Sequence, residues 1–441
     1  MRGLCKTLIG VAFSFSLIAN AADSQPSTTQ ATEKKPWMNS DVRLRLCAPA
    51  WRNIGSLTPQ EAAKKFTAIV HNDVIKPADL HAGNPKCISM KYFLGPYTAQ
   101  KEMEALKDTG AMAKDKDGNV VKAKDWQNWL VVPDSEAWIK HVTGICKKAF
   151  DLGYDGVFTD SMGTAPIESN YVLTKAINPN TGKEYTKSEW LAAESKMAAE
   201  IRKAIPKDKI LTMNGLARGT RYWTEPIEAS PRILLENYDG AMSEQIWREP
   251  RAKLTDWPSI EEWMSEIRMI QDVQKRGLMG YWWTKCWTDG NTSNNEPNAN
   301  VLVPQWRRFT LGSYLLAAGP DSYYNFDTMK NDKPSNAAEY YSEYDAPLGA
   351  ATGEMTQVAE TGVYYRLFEN GLVVVNPTDK DVDKVSIPET AGKTFVSWGV
   401  YKKGASMPAS NMVRGQADEF ETLQLPSSVN AHTGLILTAS K

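Results

Sequence analysis

Tyr154-Asp155-Gly156-Val157-Phe158-Thr159-Asp160 and Tyr238-Asp239-Gly240-Ala241-Met242-Ser243-Glu244 share one pattern: Tyr-Asp-Gly, a small residue, a large apolar residue, a hydroxyl and an acid. Each reads as a short buried strand that ends in a carboxylate. Side chains alternate along a strand, so Gly156, Phe158 and Asp160 share one face, as do Gly240, Met242 and Glu244. Asp155 and Asp239 precede the glycines at the entry side of each strand and read as structural.

Working outward from this pair, short apolar runs recur at Val42–Ala48, Cys87–Phe93, Trp129–Val132, Gly156–Phe158, Ile210–Met213, Gly240–Met242, Leu278–Trp283 and Ser322–Phe326. Amphipathic stretches with helix-start signals lie between them. Thr58/Glu61, Thr186/Glu189 and Ser259/Glu262 each place a hydroxyl three residues before a Glu, the capping box that satisfies orphan N–H groups reciprocally. Trp138, Val142, Ile145, Ala149 and Leu152 follow helical spacing, with Gly153 placed to stop the helix. Eight strands over roughly 280 residues, about 40 per strand–helix unit, predict an α/β fold: a (β/α)8 TIM barrel over 41–347. The two motif strands are then the fourth and sixth. Alternate strands fill the same interior layers, so Asp160 and Glu244 are expected to converge at the C-terminal mouth.

Beyond 348 the pattern becomes β-rich. Val363–Phe368 and Leu372–Val375 flank an Asn370-Gly371 hairpin signal, and three further short strands follow without a helix. Residues 348–441 are therefore expected to form a small C-terminal antiparallel β-sandwich that braces the barrel. At the other end, Arg2 and Lys6, the apolar run Thr7–Leu17 and Ala19-Asn20-Ala21 have the layout of a signal peptide over 1–21, cleaved near Ala21, with a flexible linker over 22–40. That layout predicts an exported protein, periplasmic or extracellular, without a membrane anchor. Cys47, Cys87, Cys146 and Cys286 would remain, either as buried thiols or with one bridge among them.

The 441 residues carry 51 Lys+Arg against 52 Asp+Glu, a formal net charge of -1, with 42% hydrophobic and 23% charged residues. This balance excludes disordered and fibrous classes and gives no electrostatic reason to bind nucleic acid. Fifteen Trp and four His point away from imidazole-rich metal sites and toward flat apolar ligand faces. No G-x-S-x-G, P-loop or dinucleotide fingerprint follows a strand. No cofactor and no metal is expected, although a metal held by carboxylates alone stays open as a weaker alternative.

Two carboxylates, few histidines and many tryptophans suit cleavage of a glycosidic bond, in which one acid protonates the leaving oxygen and the other attacks the anomeric carbon or activates water. Sugars present flat C–H faces to which aromatic rings are complementary. Trp282, Trp283 and Trp287 in the run after the seventh strand are candidate ligand contacts, joined by Trp51, Trp247 and Tyr324. Asn214, ending the fifth strand between the two acids, can bind a sugar hydroxyl. Asp321 before the eighth strand and Asp134 after the third are reserve acids. A Glu244 that gives up a proton should sit in a partly apolar setting that raises its pKa.

Tyr154-Asp155-Gly156-Val157-Phe158-Thr159-Asp160 resembles the fourth-strand signature of glycoside-hydrolase-like (β/α)8 barrels, among them the endo-α-polygalactosaminidase-like families. More distantly the layout is similar to α-galactosidase and dextranase barrels. The likeness extends to Asn376-Pro377-Thr378 in the trailing module. The resemblance implies Asp160 as nucleophile or base and Glu244 as general acid, with a Glu where α-galactosidases have an Asp on the sixth strand. The partner expected is an oligo- or polysaccharide of neutral or amino sugars. A barrel that binds glycan through its Trp cleft without hydrolysing it is the alternative from another class.

Overall fold

The computed structural model describes residues 35–49, 57–287, 298–330, 333–334, 339–401, 420–425 and 427–440. The expected signal peptide, most of the expected linker and Trp51 lie outside the described residues. Among those described, no helix is long and apolar enough to cross a membrane.

Eight parallel strands form the barrel: β1 (Cys47–Pro49), β2 (Ala68–Asn72), β3 (Ile88–Leu94), β4 (Gly156–Asp160), β5 (Ile210–Asn214), β6 (Gly240–Ser243), β7 (Met279–Trp287) and β8 (Ser322–Lys330). Each pairs with the next in chain order. A parallel bridge between Leu46 and Tyr324, with the Tyr324 N–H donating to the Arg45 carbonyl at 2.9 Å, closes the ring. The (β/α)8 expectation holds, with one exchange of strands. Ala68–Asn72 supplies β2, which shifts the Cys87 run to β3. The third sequence run leaves the barrel: Asn128–Leu130 pairs antiparallel with Tyr97–Ala99 in a separate ribbon. The true β2 was concealed because its apolar stretch is only Ala-Ile-Val before His71 and Asn72 interrupt it.

All three expected capping boxes form, at the helices Pro59–Lys65, Lys187–Ala204 and Ile260–Lys275. Inside the ring, inward side chains stack in layers, with Cys47, Val70, Met90, Phe158, Met242, Tyr281 and Tyr323 among them. Trp37 packs against this interior core from the N-terminal segment. Asn39 in that segment donates to Asp321 from its backbone N–H at 2.9 Å and its side chain at 2.8 Å, while Lys35 bonds Asp239.

The C-terminal residues form a six-stranded antiparallel sheet, ordered Thr356–Gln357, Tyr364–Phe368, Gly371–Asn376, Thr433–Ala439, Thr394–Tyr401 and Phe420–Gln424. The expected hairpin turns at Asn370-Gly371. One face carries Leu372, Val374 and Leu437 and packs with Val385 and Val429 of a two-stranded ribbon. The other presents Val373, Val375 and Ile436 to the common core with the helix Ala299–Ala317. At Gly312 and Gly434 helix and sheet backbones nearly touch: a Cβ on Gly434 would lie 2.1 Å from the Arg308 carbonyl oxygen. Arg366 completes the seam, its Nη1 donating to the end-of-helix carbonyls of Leu315, Leu316 and Ala318. The sheet thus packs against the barrel through this helix. All four described cysteines are buried and unpaired, and burial pushes the thiols of Cys87, Cys146 and Cys286 up to about 12.

Candidate active site

The ends of β4, β5 and β6 bring Asp160, Asn214 and Glu244 together at the C-terminal mouth. Asn214 is the joint: its one amide nitrogen donates to Asp160 Oδ1 at 2.8 Å and to Glu244 Oε2 at 3.1 Å. Asp160 also accepts from Tyr92 Oη at 2.7 Å and from the Ser161 N–H at 2.8 Å. Glu244 accepts from Lys285 Nζ at 2.7 Å. Three of the non-glycine residues held at positive φ belong to this cluster's surroundings: His71 (53°) in β2, against the Tyr92 ring, Ser161 (63°) directly after Asp160 and Trp247 (64°) three residues after Glu244. Such strain persists only where surrounding contacts impose it, and it concentrates at working sites.

The electrostatics separate the groups. Burial pushes Glu244 up, but the Lys285 ammonium and its hydrogen bond outweigh it and hold the carboxyl below the ordinary 4.5, with His71 and Asn214 assisting. The expectation of a raised Glu244 is thus reversed, because Lys285 was not recognised as its neighbour. His71, wholly buried against the rings of Tyr92 and Phe158, is pushed down by burial. Asp327, on β8 in register with Lys285, is pushed up to about 7, by burial first and then by Glu339.

A cleft of about 1200 Å³ opens over these groups. Its floor includes Tyr92, Asp160, Asn214, Glu244, Trp283 and Lys285, and its walls come from the loops after β3, β4, β5 and β6. Trp126, 54% exposed, stands at the rim on the excursion after β3. The Lys124 N–H donates to the Tyr171 carbonyl at 2.9 Å and ties that excursion to the loop after β4. Two buried glutamates hold the loops from behind: Glu194 accepts from the Gly163 N–H and from Trp190, and Glu266 accepts from the Gly219 N–H and Arg218. Burial keeps Glu194 well above the carboxylate range and raises Glu266 to about 7.

The remaining candidates divide by the two-residue period of their strands. Trp283 faces inward and lines the cleft, whereas Trp282 faces outward into the strand–helix core, its Nε1 donating to Ser322 Oγ at 3.3 Å. Trp247 is also buried in that core. Tyr324 faces the helix Ala299–Ala317, sharing a 2.7 Å hydrogen bond with Thr310. Asp321 lies at the entry end of β8 and is occupied by Asn39. These four residues do not reach the cleft. Trp287 ends β7, and its side chain lies outside the described residues. Asp134 pairs with Lys196 at 3.4 Å and does not line the cleft. Asp155 and Asp239 sit at the opposite end of the barrel, as read, bonding Ser89 N–H and Leu211 N–H respectively.

Tyr92, His71, Lys285, Asp327 and Trp126 belong to the site or its rim but were not singled out from the sequence. Lys285 and Asp327 had a usable signal. Both β7 and β8 run to nine residues, so the inward alternation through Tyr281 and Trp283 continues to Lys285, and that through Tyr323 to Asp327.

Residues 98–372, more than half of the chain, match the model of Hypothetical glycosyl hydrolase family 15. The chain belongs to this family. Membership makes it a glycoside hydrolase and implies a carbohydrate substrate. No curated protein matches the sequence. Solved structures with a similar backbone include the glycoside hydrolase domain of PelA from Pseudomonas aeruginosa, at 12% identity over 66% of this chain and 95% of that one, with a TM-score of 0.39. Another is Ega3 from Aspergillus fumigatus in complex with galactosamine, at 13% identity over 72% and 100%, with a TM-score of 0.39. The trehalose-6-phosphate hydrolase TreA of Bacillus licheniformis is similar at 10% identity over 92% and 100%, with a TM-score of 0.46.

Proposed function

We propose that this family member cleaves a glycosidic bond with the carboxylate pair Asp160 and Glu244, retaining anomeric configuration. The Asn214 bridge carries this reading. Oxygens bonded to one nitrogen at 2.8 and 3.1 Å lie within about 6 Å of each other, which suits a nucleophile facing an acid and is too close for inverting pairs with an intervening water. Asp160, steadied by Tyr92, Asn214 and its own backbone, is read as the nucleophile. Glu244 is read as the acid that protonates the departing oxygen and later the base that activates water. Because Lys285 holds Glu244 charged in the free cleft, the acid has to acquire a proton before it can give one. Trp283 on the floor and Trp126 at the rim are read as faces for sugar rings.

The test is reducing-sugar release from a panel of polysaccharides and aryl glycosides, with wild type beside Asp160→Asn and Glu244→Gln. Hydrolysis that falls by about 10³-fold or more in Asp160→Asn is expected. Hydrolysis untouched by that change removes the nucleophile, and glycan binding without hydrolysis by wild type favours a binding barrel. We further read 1–21 as an export signal; N-terminal sequencing of the secreted protein should begin near Ala22.

A further inference from the structure

The two oxygens of Asp160 are bonded unequally. Oδ1 accepts two hydrogen bonds, from Asn214 Nδ2 at 2.8 Å and from the Ser161 N–H at 2.8 Å, while Oδ2 accepts one, from Tyr92 Oη at 2.7 Å. A carboxylate oxygen offers about two lone-pair directions, so both on Oδ1 are filled and one on Oδ2 remains. Oδ2 is therefore the oxygen equipped to attack. Tyr92 reaches it from β3, where its register neighbour is Phe158 on β4, two residues before Asp160. The His71 ring holds both from the side, edge-on to Tyr92 at 5.2 Å and to Phe158 at 4.5 Å. Burial first, and then the Asp160 charge, pushes the Tyr92 hydroxyl far above its ordinary value, so it stays a donor at any working pH.

Resting on the reading of Asp160 as the nucleophile of a retaining hydrolase, we propose that Tyr92 drives the second half of the reaction by receiving the charge that returns to Asp160 Oδ2. In the first half a bond forms from Oδ2 to the anomeric carbon. The bond to the departing oxygen breaks with its electron pair, and that oxygen takes the Glu244 proton. Oδ2 is then an ester oxygen, and the Tyr92 hydrogen bond has lost its charge assistance. In the second half a water oxygen bonds the anomeric carbon and a water proton goes to Glu244. The carbon–Oδ2 bond breaks and its electron pair returns to Oδ2. The Tyr92 bond strengthens along this half alone, and only an interaction that strengthens toward the transition state accelerates a step. In the first half it weakens, so there it holds the carboxyl without hastening the attack. Asn214 and Ser161 bond Oδ1, outside the forming bond, and fix the carboxyl plane.

Tyr92→Phe keeps the ring against His71 and removes only the donor. On the dinitrophenyl glycoside that wild type hydrolyses, whose leaving group needs no proton, kcat should fall by about 10-fold or more, the range of a hydrogen bond to a charged group. KM should fall with it, leaving kcat/KM within about threefold. Rapid-mixing traces should show a burst of about one dinitrophenol per active site, whose amplitude counts folded molecules and corrects both constants. Mass spectrometry of the quenched variant should find one glycosyl unit on the peptide that holds Asp160. Methanol, which takes the glycosyl group in place of water, should raise the variant's kcat. An unchanged kcat, or a kcat and kcat/KM that fall by one common factor without a burst, overturns the proposal while leaving the hydrolase reading intact. A glycosyl unit on another residue, a product of inverted configuration, or no wild-type hydrolysis across the panel overturns the reading of Asp160 as nucleophile and the proposal with it.

Discussion

Lys285→Met removes the charge that keeps Glu244 ionised, and its effect on stability follows from the geometry. In wild type the depressed Glu244 contributes stability that is fully present above the unfolded pKa near 4.5 and is lost as pH falls through the lower folded value. In the variant burial acts without its counter-charge, so the folded pKa rises above 4.5. Ionising Glu244 then costs stability as pH rises through that new value. At 2.7 Å and an effective dielectric constant of about 20, the gross attraction is about 6 kcal/mol, part of which offsets desolvation of the two groups. Removing one member of a buried pair costs about 3–5 kcal/mol. The Glu244 side chain is 27% exposed and keeps its Asn214 hydrogen bond, so the lower end, about 3 kcal/mol at pH 8, is expected. At pH 4 the cost should shrink to less than about 1 kcal/mol. Urea unfolding followed by Trp fluorescence at pH 4, 6 and 8 measures the gap. A gap that does not widen with pH would show that Lys285 acts through its aliphatic stem and that the charge assigned to Glu244 is wrong.

Trp282→Ala should destabilise the fold by about 3–5 kcal/mol in the same assay, the cost of emptying a buried aromatic site, and leave glycan binding per folded molecule unchanged. Trp126→Ala should do the opposite: unfolding within about 0.5 kcal/mol of wild type, because the ring is exposed, and weaker affinity for long glycans by isothermal titration. Glu266→Gln should flatten the loss of stability between about pH 5 and 8. With its folded pKa raised to about 7 by burial, the favourable neutral form is present below 4.5 and is lost as pH rises through 7, a swing of up to about 3 kcal/mol.

The barrel was legible because strand spacing, capping boxes and the doubled Tyr-Asp-Gly motif all point to one architecture. Asp160, Asn214 and Glu244 were legible for the same reason: period-two alternation fixes the face, and the strand end fixes the height. Tryptophan identity alone was a poor guide, since Trp282 and Trp283 are neighbours with opposite destinations. The fourfold set Tyr324, Asp321, Trp247 and Trp282 was drawn in by residue type, while the pleat and the strand direction sent each elsewhere. Lys285 and Asp327 were missed because strands were ended where the apolar run ended, although barrel strands turn polar as they approach the mouth. His71 was passed over because β2 interrupts its own hydrophobic run there.

The helix Ala299–Ala317 serves two neighbours, since its residues pack with the barrel on one side and the C-terminal sheet on the other. A gene cut after residue 347 would strip the cover from Phe309, Leu316 and the Gly312 flank, and would remove Arg366 from the helix end. Recombination that swaps modules between genes works best where few contacts cross the joint; here the joint admits no side chain at Gly434. The sheet and barrel of this lineage are therefore expected to be inherited together, with new modules added outside the pair.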